Sequence, residues 1–332
     1  MRTITFMVPT RDGAKLATDV HLPDGPGPFP TILERTPYGR DKTSRSEITA
    51  ADRTPAPRAA IAAYFAAQGY AVVYQDTRGR FGSEGVFVKY LSDGEDGYDC
   101  CDWIVRQPWC DGRICTMGLS YAAHTQAALG CLDAPGVVAQ VLDCGGFADS
   151  WRAGIRQSGA FELKQTTWAL RNAKDSPEAL ADPVMRAALE SEDVRDWFAR
   201  MPWKPGHSPL RHHPDYEAYL FDQWTHGEFG DFWRQLGIWT EGSHARYSKA
   251  ACVHMSSWWD PYPLTATANF LGLRAAGRGP PARRRRRPSA RRPRPRAPPA
   301  PPRAPRPPPL PPVARRRAGA SRSVTRRAPR RT

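Results

Sequence analysis

Apolar and polar positions alternate from Thr3 to Val8 and from Lys15 to Leu22, with Arg11-Asp12-Gly13 between them, so the chain opens with a predicted β-hairpin. A third strand is predicted over Phe29 to Glu34, leading into Arg35-Thr-Pro-Tyr38, and the polar stretch Thr43 to Pro57 reads as a loop. Ala59 to Gln68 has helical spacing and stops at Gly69; the apolar run Tyr70 to Gln75 follows as a buried strand. Beyond it lies Asp76-Thr-Arg-Gly-Arg-Phe-Gly-Ser-Glu-Gly85, a loop dense in glycine and charge. A helix over Asp93 to Gln107, a strand over Arg113 to Met117, a helix over Tyr121 to Leu129 and a strand over Val137 to Leu142 complete the alternation. Strands and helices in this rhythm predict βαβ units and a mostly parallel sheet. From about Phe147 to Tyr247 the pattern becomes aromatic-rich and helical, broken by prolines. Ala250 to Met255 reads as a returning strand, ending in Ser256-Ser-Trp-Trp-Asp260, with a helix over Leu264 to Leu273.

The stretch Arg113-Ile-Cys-Thr-Met-Gly-Leu-Ser-Tyr-Ala-Ala-His-Thr-Gln126 carries the chemistry. It reads as strand, sharp turn and helix, with Ser120 at the turn. A serine hydroxyl is a weak nucleophile at neutral pH and needs a base beside it and donors where the oxyanion forms. A strand-to-helix elbow lifts the hydroxyl clear of the sheet and aims the next amide, that of Tyr121, at the developing charge. Gly118 and Ala122, two positions either side, keep the turn small, although Ala122 stands where the common G-x-S-x-G pattern has glycine. A Gly-Leu-Ser turn that merely caps a helix is the plainer alternative.

Composition changes this picture in one place. The chain has 332 residues, 40% of them hydrophobic, and a formal charge of +15. From Arg278 to Thr332 there are 20 Arg and 16 Pro but no acidic or aromatic residue, so the preceding 277 residues carry 28 basic and 33 acidic side chains. The positive charge therefore belongs to the tail, and global charge is no argument for nucleic-acid binding by the rest. Seven cysteines without C-x-x-C spacing predict a reduced, cytoplasmic protein rather than a disulfide scaffold. The N-terminal apolar run is too short for a signal peptide, and no stretch is long enough for a membrane span.

With these residues placed, the sequence closely resembles the family of serine hydrolases that includes cocaine esterase and the X-Pro dipeptidyl-peptidases, within the α/β-hydrolases. The resemblance rests on Met7-Val-Pro-Thr-Arg-Asp-Gly-Ala-Lys-Leu-Ala-Thr-Asp19, Arg35-Thr-Pro-Tyr38, Gln75 to Gly85, Gly118-Leu-Ser-Tyr121 with Gln126, and Trp258-Trp-Asp260. It implies an α/β-hydrolase fold: a core over 1–146, a helical cap over 147–247, and an incomplete second part of the core over 248–277. It also implies Ser120 as nucleophile, Asp260 as the carboxylate that orients the base, and the Tyr38 hydroxyl with the Tyr121 amide as oxyanion hole. Such an enzyme cleaves an ester, an amide or a short peptide through an acyl-enzyme, without cofactor or metal. The family's α-amino-ester hydrolases follow the aspartate with further carboxylates for the substrate amine. Here Pro261-Tyr262-Pro263 follows instead, leaving Asp149 as the one acidic candidate, so the expectation is an apolar acyl group. The cap tryptophans 151, 168, 197, 203, 224, 233 and 239 include side chains that line such a pocket or only pack the helices.

The pattern departs from the family at the base. All eight histidines precede Asp260. His124 lies one helical turn beyond Ser120, on a helix that leads away from the sheet end, and His254 reads as a core or edge residue. Asp76, Arg78 and Glu84 read as loop scaffold held by salt bridges. Loss of one triad member costs on the order of 10⁴ to 10⁶ in rate, so an impaired hydrolase is expected. The alternative from another class is a polyanion-binding protein acting through the Arg/Pro tail, though stacking on bases needs aromatics that the tail lacks. The tail over 278–332 is expected to be disordered and to arise from a shifted reading frame, because acids and aromatics vanish together after Leu273-Arg-Ala-Ala. Translating the same DNA in the other frames beyond codon 274 tests this, through the appearance of a Trp-x-x-His-like segment.

Overall fold

The computed structural model describes residues 1–44 and 53–278; the expectations for the Arg/Pro tail beyond Arg278 lie outside the described residues. Seven strands form the central sheet: β1 (Arg2–Pro9), β2 (Lys15–Leu22), β3 (Phe29–Thr36), β4 (Ala71–Asp76), β5 (Cys110–Leu119), β6 (Val137–Asp143) and β7 (Ala251–Met255). Their spatial order is β1-β2-β4-β3-β5-β6-β7. β2 runs antiparallel to both neighbours, and every pairing from β4 across to β7 is parallel. This is the mostly parallel sheet that the alternating pattern predicts, in the α/β-hydrolase arrangement that the resemblance implies.

Burial follows position in the sheet. All six residues of β4 are buried, as a strand covered on both faces requires. Helix α1 (Arg58–Ala67) covers one face, with Ala62 and Phe65 against Val72, Tyr74 and Met117. On the other face, α2 (Asp93–Val105) and α3 (Tyr121–Gly130) bring Cys100, Cys101, Ile104 and Leu129 onto Val20, Leu33, Val73 and Ile114. β5 begins three residues earlier than its apolar run suggests, because Cys110 pairs with Phe29 across an irregularity between Phe29 and Thr31. The predicted loop Thr43 to Pro57 has its ends tied by a two-residue antiparallel pair, Thr43–Ser44 with Ala56–Pro57.

Between β6 and β7 the chain leaves the sheet. The insertion contains a small hairpin, Arg156–Gln157 with Ala160–Phe161, and the helices α4 (Lys164–Ala173) and α5 (Pro214–Thr225), with shorter helical segments between them. Two of those segments start where the side chains of Ser176 and Asp182 accept amides of the first turn. Trp197, Trp203, Leu220 and Trp233 of the insertion form one apolar cluster with Phe87, Tyr90 and Tyr121 of the sheet half. The cap thus packs through its aromatics directly onto the elbow.

The chain then returns as β7, whose residues alternate between exposed and partly buried, and ends in α6 (Pro263–Ala275). Tyr247 anchors this return: its hydroxyl donates to Gln140 Oε1 at 2.9 Å, and its ring fills a notch at Gly130, where a Cβ would lie 2.1 Å from the ring. The Ser248 amide donates to the Gly130 carbonyl at 2.8 Å.

Candidate active site

Ser120 stands between β5 and α3 with φ 59° and ψ −115°, a conformation that L-residues avoid. The surroundings enforce it. The Ser120 amide donates to Asp143 O at 2.9 Å, and its carbonyl accepts the amides of Ala123 and His124. Gly118 has φ 144°, and a Cβ there would lie 2.4 Å from that of Ala122; one at Gly145 would lie 2.5 Å from the Ser120 carbonyl. The turn is therefore tight on both sides, as the small residues in the sequence imply. The next amide, that of Tyr121, opens the helix, where first-turn amides have no partner within the helix.

Tyr38 follows β3 and comes to the same place. Its hydroxyl accepts from Trp168 Nε1 at 3.1 Å, and its ring meets those of Tyr121 and Trp168 edge-on. Burial raises the pKa of the phenol, opposed by the hydrogen bonds of Trp168 and Ser120, so Tyr38 stays a neutral donor beside Ser120. The guanidinium of Arg80 fixes its base, donating to the Pro37 carbonyl at 3.1 Å and, across to the cap, to the Asn172 carbonyl at 2.8 Å and the Tyr216 hydroxyl at 2.6 Å. Tyr121 is itself pinned: its hydroxyl accepts the Tyr90 amide at 2.8 Å, and its ring stacks between Tyr90 and Trp168.

Asp260 approaches from the other side. It lines one cavity of about 440 Å³ together with Ser120, Tyr38, Tyr121 and Cys144. Its Oδ2 accepts from Ser256 Oγ at 2.6 Å and from the Tyr262 amide at 3.3 Å. Helix α6 starts at Pro263 with Tyr262 at its N-cap position and no side-chain cap, so Asp260 does not cap it. The Cys144 thiol is pushed up to about 12 by burial and by the carboxylates of Asp143 and Asp260, and it stays protonated. A second cavity of about 400 Å³ also opens on Ser120 and is lined by Glu34, Arg58, Arg80, Arg171 and Asp175 among others. The Arg58–Glu34 ion pair in its wall is buried and 2.7 Å long.

No histidine lines either cavity among the described residues. His124 is buried behind the wall, stacked on Phe147 with ring centroids 3.8 Å apart, and Tyr262 stands edge-on to it. Its Nδ1 accepts the Gly146 amide at 3.0 Å, which leaves the proton on Nε2. Burial, with Lys89 and Lys164 nearby, holds its pKa well below the usual imidazole value, so His124 is a neutral strut for the Gly145–Gly146 turn. His254 lies on β7, also depressed by burial, to about 4.

Two expectations change. Asp149 lines neither of the two cavities that open on Ser120; its carboxylate accepts the amides of Trp151 and Arg152 and shapes the entry to the cap. Of the cap tryptophans, Trp168 alone among the described residues lines the two cavities, while Trp197, Trp203 and Trp233 are buried in the cap's own core. The scaffold reading of the glycine-rich loop holds: Arg40 pairs with Asp76 at 2.7 Å, Arg78 bridges Asp12 at 2.8 Å and Asp96 at 2.6 Å, and Glu84 accepts the Lys15 amide at 2.9 Å. The cations Lys89, Lys164 and Arg171 in the cavity walls escape sequence reasoning, because isolated basic residues on short amphipathic segments look like solvent-facing ones.

Comparison with known proteins gives the family and the fold. Residues 12–284 match the family described as X-Pro dipeptidyl-peptidase (S15 family). The chain is 42% identical over 120 residues to the cocaine esterase of Rhodococcus sp. (strain MB1 Bresler), an alignment that covers 36% of this chain and 19% of that protein. An aminopeptidase structure from a marine sediment Thaumarchaeota archaeon superposes with a TM-score of 0.60 at 21% identity, covering 83% of this chain and 46% of that one. A CocE/NonD family hydrolase structure from Staphylococcus aureus gives 0.58 at 21% identity, covering 83% and 44%. The chain thus spans less than half of each of these relatives. The matched residues run from the first hairpin through the Ser120 elbow to the Asp260 turn and α6, and the chain belongs to the X-Pro dipeptidyl-peptidase (S15) family.

Proposed function

We propose that Ser120 is the nucleophile of an acyl hydrolase that acts on an ester, an amide or a short peptide. The observation that carries this reading is the strained backbone of Ser120 at the carboxyl end of β5, with a neutral phenol held beside it. Backbone strain at a serine persists only where the surrounding packing over-determines it. In the proposed step, Ser120 Oγ adds to the substrate carbonyl while its proton passes to water in the cavity, which acts as the base and returns it to the leaving group. The Tyr38 hydroxyl and the Tyr121 amide donate to the oxyanion, and collapse of the tetrahedral adduct expels the alcohol or amine and leaves an acyl-serine. Asp260 serves to orient and offset the charge of that base. Because no imidazole reaches the cavity among the described residues, proton transfer is the slow part, and turnover should lie far below that of a complete triad.

A fluorophosphonate tests the assignment over long incubation, since phosphonylation expels fluoride and needs the nucleophile, the oxyanion donors and loss of the serine proton, but no second step. Mass spectrometry should find the adduct on Ser120. A folded sample labelled elsewhere, with Ser120 unmodified, removes the assignment.

A further inference from the structure

We infer that the cavity shared by Ser120 and Asp260 contains a subsite for a carboxylate carried by the substrate, built by Lys89 and Lys164 with Arg171 at its mouth. This deepens the hydrolase reading and rests on it for the word substrate.

Lys89 is the central observation. Its side chain is 2% exposed, yet among the described residues no carboxylate pairs with it. Its Nζ donates to the neutral Gln165 Oε1 at 2.8 Å and sits over the rings of Trp168, at 3.7 Å from the centroid, and Tyr90, at 4.9 Å. Burial, with Lys164 nearby, holds its pKa well below the usual lysine value, so a carboxylate bound beside it would return the amine to its charged, paired form. Trp168 also bonds the Tyr38 hydroxyl, so one indole separates Nζ from the oxyanion donor.

Two further cations share the wall. Lys164 stands over the Tyr262 ring at 4.8 Å and pairs with Glu162 at 2.8 Å; Arg171 lines both cavities and has no carboxylate partner among the described residues. The one carboxylate among the residues lining the cavity, Asp260, has a role of its own in the proposed reaction and is already bonded to Ser256. The basic groups that line the cavity beside Ser120 thus outnumber its one carboxylate, and burial strengthens their attraction for an anion. The rings of Tyr90, Trp168 and Tyr262 line the rest. Point-like ammonium donors at the end of an aromatic-walled space suit a single carboxylate on a short apolar chain. This replaces the wholly apolar acyl group expected from the sequence.

The probe pair is monomethyl glutarate, an ester with one carboxylate, and methyl valerate, a neutral ester of similar length, titrated calorimetrically into the full chain. The anionic ester should bind at least tenfold more tightly. Lys89→Met should abolish that preference and leave methyl valerate unchanged, with circular dichroism confirming the fold; Lys164→Met should lower it by a smaller factor and serves if the first variant does not fold. Equal affinities for the two esters in the unaltered chain overturn the subsite, as does a folded Lys89→Met that keeps the preference. Titration does not require a reactive serine. Binding without fluorophosphonate labelling leaves the subsite standing and removes the hydrolase reading, whereas labelling of Ser120 without the preference does the reverse.

Discussion

Around Ser120 each large side chain is held from several directions: Tyr38 by Trp168, Tyr121 by Tyr90 and Trp168, and the loop before Tyr38 by Arg80 reaching into the cap. Around Asp260 the chain from Ser256 to Trp259 is exposed, with Trp258 and Trp259 at 93% and 97%, and the carboxylate is held by one serine and one amide. The first side belongs to the apolar cluster that joins cap and sheet; the second hangs from the edge strand β7. Preorganisation is thus unevenly shared. The donors proposed to meet an oxyanion are fixed before any substrate arrives, while the carboxylate proposed to steady the base follows an exposed stretch of chain. Covalent capture at Ser120 should draw its oxyanion donors from the first side alone, and complete turnover should depend on both sides.

Substitutions on the two sides separate these contributions. The largest effect should come from Gly118→Val, whose side chain meets Ala122 in a turn with no room and whose φ of 144° disfavours any L-residue. We expect loss of fluorophosphonate labelling and destabilisation by about 3 kcal/mol or more, read by chemical denaturation. Next is Tyr38→Phe, which removes one donor and little volume. The rate of Ser120 labelling should fall by roughly 10²-fold with the midpoint of unfolding unchanged; an unaltered rate would take Tyr38 out of the oxyanion hole.

The third prediction concerns pH and has opposite signs on the two sides. Burial, partly offset by Arg35, raises the Asp93 carboxyl from 3.8 to about 6. The folded chain therefore holds this proton where the unfolded chain releases it, so the contribution is fully present below about pH 4 and is lost as pH rises through about 6. Asp93→Asn should flatten this slope and stabilise the protein at neutral pH by on the order of 2 kcal/mol. His254 is lowered from 6.5 to about 4, so its contribution is present above pH 6.5 and is lost as pH falls toward 4. Denaturation curves of Asp93→Asn and His254→Gln between pH 4 and 8 should show the two slopes vanish separately. The smallest effect is expected at the exposed indoles: Trp258→Ala and Trp259→Ala should each change stability by less than about 0.5 kcal/mol. A larger loss would mean that the Asp260 side is covered in solution.

The same asymmetry governs what could be read from sequence. Strand and helix order was legible because burial on both faces writes long apolar runs such as Ala71–Val73, and the elbow was legible because a tight turn demands small residues at fixed offsets around Ser120. The Asp260 turn carried a motif but no sign of its exposure, which depends on what packs against β7. The charged wall of the cavity was not legible at all. Lys89 lies before α2, whereas Lys164 and Arg171 lie seven positions apart on α4, and only the folding of the cap over β5 brings these basic residues of surface type into the wall of one cavity. Arg80 was hidden for a related reason, since its partners Asn172 and Tyr216 are 92 and 136 positions away.

The notch at Gly130 bears on the order of events during synthesis. Six of the seven sheet strands are complete once Asp143 has been made, and only β7 is still to come. Tyr247, which closes the end of α3 and bonds Gln140, is separated from that residue by 107 positions. At ordinary elongation rates this amounts to roughly 5–20 s. For that interval the nascent chain presents the open end of the nucleophile helix and the unpaired edge of β6 at the ribosome surface, so the cap must be translated before the helix that carries Ser120 is sealed.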